Sequence, residues 1–169
     1  MSAGIEPRVL VVGIGNPDRG DDGFGPLVAS RLRGCVPPAI RILERGGDIL
    51  ALIEEWDGFA AVFVVDAAAP ATRSGRVYRL DLTAGELPVG LAPGSTHAFG
   101  IAETVELARS LDRLPRHLVA YLVEGERLDI GTPLSPMVAK AVDEVVRRII
   151  VELSRLSAAR RPAEAAEHA

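Results

Sequence analysis

Three side chains set the chemical question. Asp22 lies in GIGNPDRGDDGFG (residues 13–25), Asp66 closes the apolar run AVFVVD (61–66), and His97 stands in GSTHAFG (94–100). Two carboxylates that converge either share a proton or hold a cation. Adding an imidazole turns the pair into an Asp, Asp, His set. That set suits a divalent transition metal and leaves coordination positions open for water or substrate. A hydrolytic metal needs such an opening to activate water or polarise a carbonyl. An aspartic dyad of Asp22 and Asp66 is the simpler alternative, but it leaves His97 unexplained.

Other chemistries fit less well. Gly13 and Gly15 begin like a dinucleotide fingerprint, yet the third glycine position holds Asp18. A pyrophosphate there would face Asp18, Asp21 and Asp22, and a helix end of about half a charge does not offset several full ones. Gly13 and Gly15 are therefore expected to permit a tight strand exit, Asn16 and Pro17 to shape the turn, and Asp21 to cap the following helix. Capping needs one acid, which leaves Asp22 for the site. The lone cysteine, Cys35, follows the first helix without a histidine nearby and is expected to be buried filler. His117 opens a strand at the amino edge, and His168 sits in the tail. Neither G-x-S-x-G nor H-E-x-x-H occurs.

The elements that must position the trio follow from periodicity. RVLVVGIG (8–15), IRILE (40–44), AAVFVVDA (60–67) and RHLVAYLVEG (116–125) read as strands, and GRVYRLDL (75–82) alternates like a half-exposed edge strand. FGPLVASRLRG (24–34) reads as a helix capped by Asp21 or Asp22 and stopped by Gly34. DILALIEEWDG (48–58) reads as a short helix between Asp48 and Gly58. A Gly- and Pro-rich loop then leads past His97 to a helix with Ile101, Val105, Ala108 and Leu111 on one face. Val138, Val142, Val145, Ile149, Leu153 and Leu156 stripe the last helix. Alternating strands and helices imply a mostly parallel sheet covered on both faces. Val9–Gly13 and Val62–Asp66 are its expected central strands. Ligands in this class bind outside the carboxyl ends of strands, where strand order reverses. Adjacent strands lie ~4.8 Å apart, so Asp22 and Asp66 at neighbouring ends would converge.

Length and composition bound the rest. The 169 residues suit one domain, expected over 1–157 with a tail at 158–169 that lacks large apolar residues. The net charge of −4 argues against general nucleic-acid binding. One cysteine excludes an internal disulfide framework, and no apolar run reaches the ~20 residues of a membrane span. The expectation is a soluble, cytoplasmic monomer that needs neither nucleic acid nor membrane as a partner.

The sequence resembles the hydrogenase maturation proteases, endopeptidases that trim the large subunit of nickel–iron hydrogenases. The likeness runs from about Arg8 to Leu156. It rests on GIGNPDRGDDGFG, on VVDA, on STHAFGIAETVELA and on GTPLSPMVAKAVDEVV, in that order. It implies a three-layer α/β sandwich with a twisted, mainly parallel five-stranded sheet, helices on both faces and one antiparallel edge strand. It also implies metal contacts, and hence catalytic roles, at Asp22, Asp66 and His97. The partner would be the hydrogenase large-subunit precursor. The metal would be nickel presented by that substrate, with another divalent ion able to fill the site in isolation and a metal-activated water as nucleophile.

Two positions depart from the family pattern. Some members carry Glu where this chain has Asp22, one methylene shorter. Members often read D-G-G-T after the second strand, where this chain reads ERGGD (44–48), so Arg45 replaces an acid and substrate contacts there would differ in charge. Two other readings stand beside the protease: a catalytically silent metal or hydrogenase chaperone, and a nucleotide-binding enzyme on the same sheet type.

Overall fold

The computed structural model describes residues 8–68, 73–84 and 96–159, with side chains from residue 100 onward in the last segment. Five strands form one sheet: β1 (Val9–Ile14), β2 (Ile40–Arg45), β3 (Ala61–Ala68), β4 (Val77–Asp81) and β5 (His117–Glu124). Their order is β2-β1-β3-β5-β4, with all pairs parallel except β4 against β5. Among the described residues the α-helices are α1 (Phe24–Arg33), α2 (Leu52–Glu55), α3 (Thr96–Ser110) and α4 (Pro136–Ala158).

The apolar runs explain this layering. Strand side chains alternate between faces, and β1, β3 and β5 are apolar at nearly every position. Each therefore supplies a core on both sides. Leu10, Val12, Val62, Val64, Leu118 and Ala120 meet α2 and α3 through Leu52, Trp56, Ile101 and Val105. Val11, Phe63, Val65, Val119 and Tyr121 meet α1 and α4 through Phe24, Val28, Val142 and Ile149. Each Val, Leu, Ile or Phe among them contributes about 1.5–3 kcal/mol on burial. The edge strand β4 is half exposed, as its sequence pattern predicts: Val77, Tyr78 and Leu80 are half-buried, and Arg79 and Asp81 are exposed.

Three local expectations are corrected. The helix read over 48–58 shrinks to a single turn, although Asp48 Oδ1 does accept the Ala51 amide at 3.3 Å and Gly58 turns the chain out at φ 75°. Leu111 is exposed, not part of the α3 stripe. The helix has ended at Ser110, and Asp112 in the left-handed region (φ 57°) takes the chain off the helical path. Cys35 is exposed, not buried, because α1 stops at Gly34 and the thiol follows in the turn before β2.

The edge strand is fastened to α4 by one polar cluster. Glu152 accepts Arg79 Nε at 2.7 Å and Arg79 Nη2 at 2.8 Å, and it also accepts the Tyr121 hydroxyl. Burial alone would raise the Glu152 pKa, but the bonds from Arg79 and Tyr121 outweigh it and hold the group below its ordinary 4.5. The same cluster pushes the Tyr121 phenol upward, first through burial and then through Glu152. A carboxylate with a depressed folded pKa adds stability above its unfolded pKa and loses it as pH falls through the folded value. Thermal melts are therefore expected to be flat from neutrality to about pH 5 and to fall below that. Glu152→Gln should lower the neutral melting temperature and flatten the acid limb. An acid limb unchanged in that variant would remove Glu152 as its cause.

Candidate functional site

The chain turns in opposite directions after β1 and β3. From β1 it moves to β2 on one side, and from β3 to β5 and β4 on the other. The crevice between the carboxyl ends of β1 and β3 is thus the topological switch point. Asp66 lies in β3 opposite Leu122 of β5 and one residue beyond the last β1–β3 pair, Gly13 with Val65. It is 1% exposed, and its Oδ1 accepts the Ala67 amide at 2.7 Å. Asp22 lies in a 3-10 turn, Gly20–Gly23, that follows β1. It is 7% exposed, and its Oδ2 accepts the Asn16 amide at 2.9 Å. Two buried acids therefore stand at adjacent strand ends, each with one oxygen oriented by a backbone N–H.

His97 reaches this edge by a different route. Helix α3 ends next to the start of β5, so it runs against the parallel strands and its first turn lies at their carboxyl edge. Gly100 confirms the placement by packing on Ile49, which follows β2 at that edge. His97 is the second residue of α3, within the helix and not ahead of it. Its imidazole is outside the described residues, and among the described residues no three potential metal-binding side chains cluster. Two carboxylates and an imidazole are oxygen and nitrogen donors of the kind that bind divalent first-row metals.

The glycines of the first loop serve packing. A Cβ on Gly13 would lie 2.2 Å from the Gly25 carbonyl oxygen, and one on Gly25 would lie 2.3 Å from Ile14 O and 2.4 Å from Val65 O. The pair lets α1 press directly on β1 and β3. Gly15, at φ 134°, sits against the Asp22 backbone, where a Cβ would come within 1.9 Å of the carbonyl oxygen. These contacts account for the G-x-G spacing without a phosphate.

Asp21 does not cap α1, contrary to expectation, and neither does Asp22. The N-cap of α1 is Gly23, with no side-chain cap bond. The Asp21 carboxylate instead turns toward the β5–α4 connection. There it accepts the amides of Glu126 (2.7 Å), Arg127 (3.0 Å) and Ser135 (2.7 Å), together with the Ser135 hydroxyl. Burial would raise its pKa, but these bonds prevail and lower it below 3.8. The consecutive acids of GDDG and the late GTPLSP were visible in the sequence, but their contact spans more than a hundred residues.

Arg45 ends β2 opposite Ile14, beside the same crevice. Glu55 takes its Nη2 at 2.6 Å and Nε at 2.9 Å, while Nη1 goes to the Glu44 carbonyl. Its charge is thus already partnered. His117 opens β5 at the amino edge and is exposed, as expected. His168 lies outside the described residues. A groove of about 1030 Å³ between β4, β5 and α4, lined by Arg79, His117, Arg147 and Glu152, also lies at the amino edge, away from both acids. No helix among the described residues is long and apolar enough to cross a membrane.

Comparison with known proteins gives this geometry a family. A family model described as hydrogenase maturation protease matches residues 27–152, a span that contains Asp66 and His97 and begins just after Asp22. The chain is 32% identical to the hydrogenase expression/formation protein HupD of Bradyrhizobium diazoefficiens over 165 residues, 89% of this chain and 84% of that one. Its fold is like that of the hydrogenase maturating endopeptidase HybD from E. coli, with TM-score 0.75, 22% identity and coverage of 88% and 93%. It is also similar to the [NiFe] hydrogenase maturation protease HybD from Thermococcus kodakarensis, with TM-score 0.68, 26% identity and coverage of 86% and 98%. The chain belongs to the hydrogenase maturation protease family.

Proposed function

We propose that this protein is the endopeptidase that removes the C-terminal extension of a nickel–iron hydrogenase large-subunit precursor after nickel insertion, and that it recognises the nickel already seated in that precursor. The observation that carries the reading is the pair of buried acids, Asp22 and Asp66, at the β1/β3 switch point of a chain in this family. Nickel enters as part of the substrate. Asp22, Asp66 and His97 complete its coordination and so fix the precursor's extension against the carboxyl edge of the sheet. Two carboxylates and one imidazole are few ligands for holding an ion alone, but enough to recognise one that arrives partly coordinated. Cleavage then depends on correct loading, and the reaction checks assembly.

The backbone bonds to the acids have a defined part in this. Asn16 N–H on Asp22 and Ala67 N–H on Asp66 each anchor one oxygen, so the carboxylates meet the ion already oriented. Little ordering is then left to the moment of binding.

The test mixes the protein with nickel-loaded and nickel-free precursor and follows peptide release by mass spectrometry. Release from the loaded form alone is expected. Equal release from both forms would overturn nickel recognition. Stoichiometric binding with no change in precursor mass would show a chaperone instead.

A further inference from the structure

The turn that carries Asp22 is held largely from across the molecule. Gly20 N–H donates to Thr132 O at 3.1 Å, Asp21 N–H to Arg127 O at 2.8 Å, and Gly131 N–H to Asp18 O at 2.7 Å. At the centre is the Asp21 carboxylate, 0% exposed, with Glu126 and Arg127 amides on Oδ2, the Ser135 amide on Oδ1 and the Ser135 hydroxyl across both. Gly125 packs against its Cβ, where any added side-chain carbon would lie within 3.3 Å.

We infer that Asp21 is a positioning residue: by gathering the amides of the β5–α4 connection onto the 3-10 turn, its carboxylate sets the direction in which Asp22 faces the substrate. The inference rests on the reading of Asp22 as a group that meets the substrate's metal. The lever is geometric. A 3-10 turn advances about 120° per residue, so consecutive side chains point to different sides. With Asp21 locked toward Glu126 and Ser135, Asp22 is turned toward the β1 exit, where Asn16 N–H donates to it. Rotating the turn would move both. Only an acceptor-only group suits the Asp21 position. In an asparagine, either orientation of the amide would aim its NH2 at backbone donors: Glu126 and Arg127 on one side, Ser135 on the other.

Asp21→Asn in the full chain tests this with two readouts. The first is single-turnover and steady-state cleavage of nickel-loaded precursor. The rate constant should fall about 50-fold while KM stays within about threefold of wild type, the mark of lost orientation and not of lost binding. The second is the Asn16 amide, whose hydrogen exchange should accelerate about tenfold while the β3 and β5 amides of Val64 and Ala120 keep their protection. Tyr121→Phe, which removes only the hydroxyl's bond to Glu152 of α4, serves as a control that loses stability without moving either signal. A folded Asp21→Asn with wild-type cleavage and an unmoved Asn16 amide would overturn the inference and leave Asp21 a purely structural anchor. Should Asp21→Asn not fold, Ser135→Ala decides by the same readouts, with a rate loss of about fivefold expected. An Asp22→Asn variant separates the two levels. Full activity there would sink the site reading itself, whereas an inactive Asp22→Asn beside a fully active Asp21→Asn would sink only the positioning role.

Discussion

Asp66→Asn will leave a folded protein that has lost nearly all peptide release from nickel-loaded precursor. The substitution keeps the volume of a fully buried side chain and an oxygen for the Ala67 amide at 2.7 Å. It removes the negative charge that would meet the metal and places an amide nitrogen where a carboxylate oxygen stood. A loss of about 10³-fold or more is expected, equivalent to roughly 4 kcal/mol of transition-state stabilisation. Asp22→Asn and His97→Ala should behave alike, with circular dichroism and melting temperature close to wild type. Normal processing by all three variants would refute the site. Normal processing by His97→Ala alone would return the chemistry to a pair of carboxylates.

Gly25→Ala should strongly disrupt the fold, small as the change is. The added carbon would lie 2.3 Å from Ile14 O and 2.4 Å from Val65 O, and neither backbone atom can swing aside. Helix α1 would have to lift from β1 and β3, opening the contacts of Phe24 and Val28 with the core. A loss of about 3 kcal/mol or more follows for an overpacked rigid contact, a large share of a typical 5–15 kcal/mol. Gly34→Ala is the matched control. It has a helical backbone, and nothing lies within 4 Å of its added carbon. Urea melts should show that variant within about 0.5 kcal/mol of wild type. Equal destabilisation of the two would disprove the close-approach explanation of the glycines.

The parts legible in the sequence are those written in local pattern. Val9–Gly13, Val62–Asp66 and Leu118–Val123 are short runs of apolar residues with no helical period, and they form the three inner strands. The alternation of Val77–Asp81 reads as an edge because one side of that strand meets water. Asp66 stands out because an acid ending an apolar strand has few structural uses, and Asp22 because a cap needs only one of two consecutive acids. What was not legible depends on distant partners. The Asp21 carboxylate meets amides 105 to 114 residues away, and no local rule separates that use from helix capping. Leu111 keeps the α3 period, and its N–H still donates to Leu107 O at 3.0 Å, but its side chain is exposed at the helix end, where the chain turns off at Asp112. Cys35 looked like core filler by residue type, yet the chain had already turned at Gly34.

The exposed thiol of Cys35 has a practical consequence. It precedes Ile40, which pairs with Val9 at the amino end of the sheet, so the full thickness of the molecule separates it from Asp22 and Asp66. It is also the chain's single cysteine. A maleimide fluorophore would therefore attach at one defined point, behind the cleft, and could report precursor capture in real time without engineering the protein or crowding the cutting face.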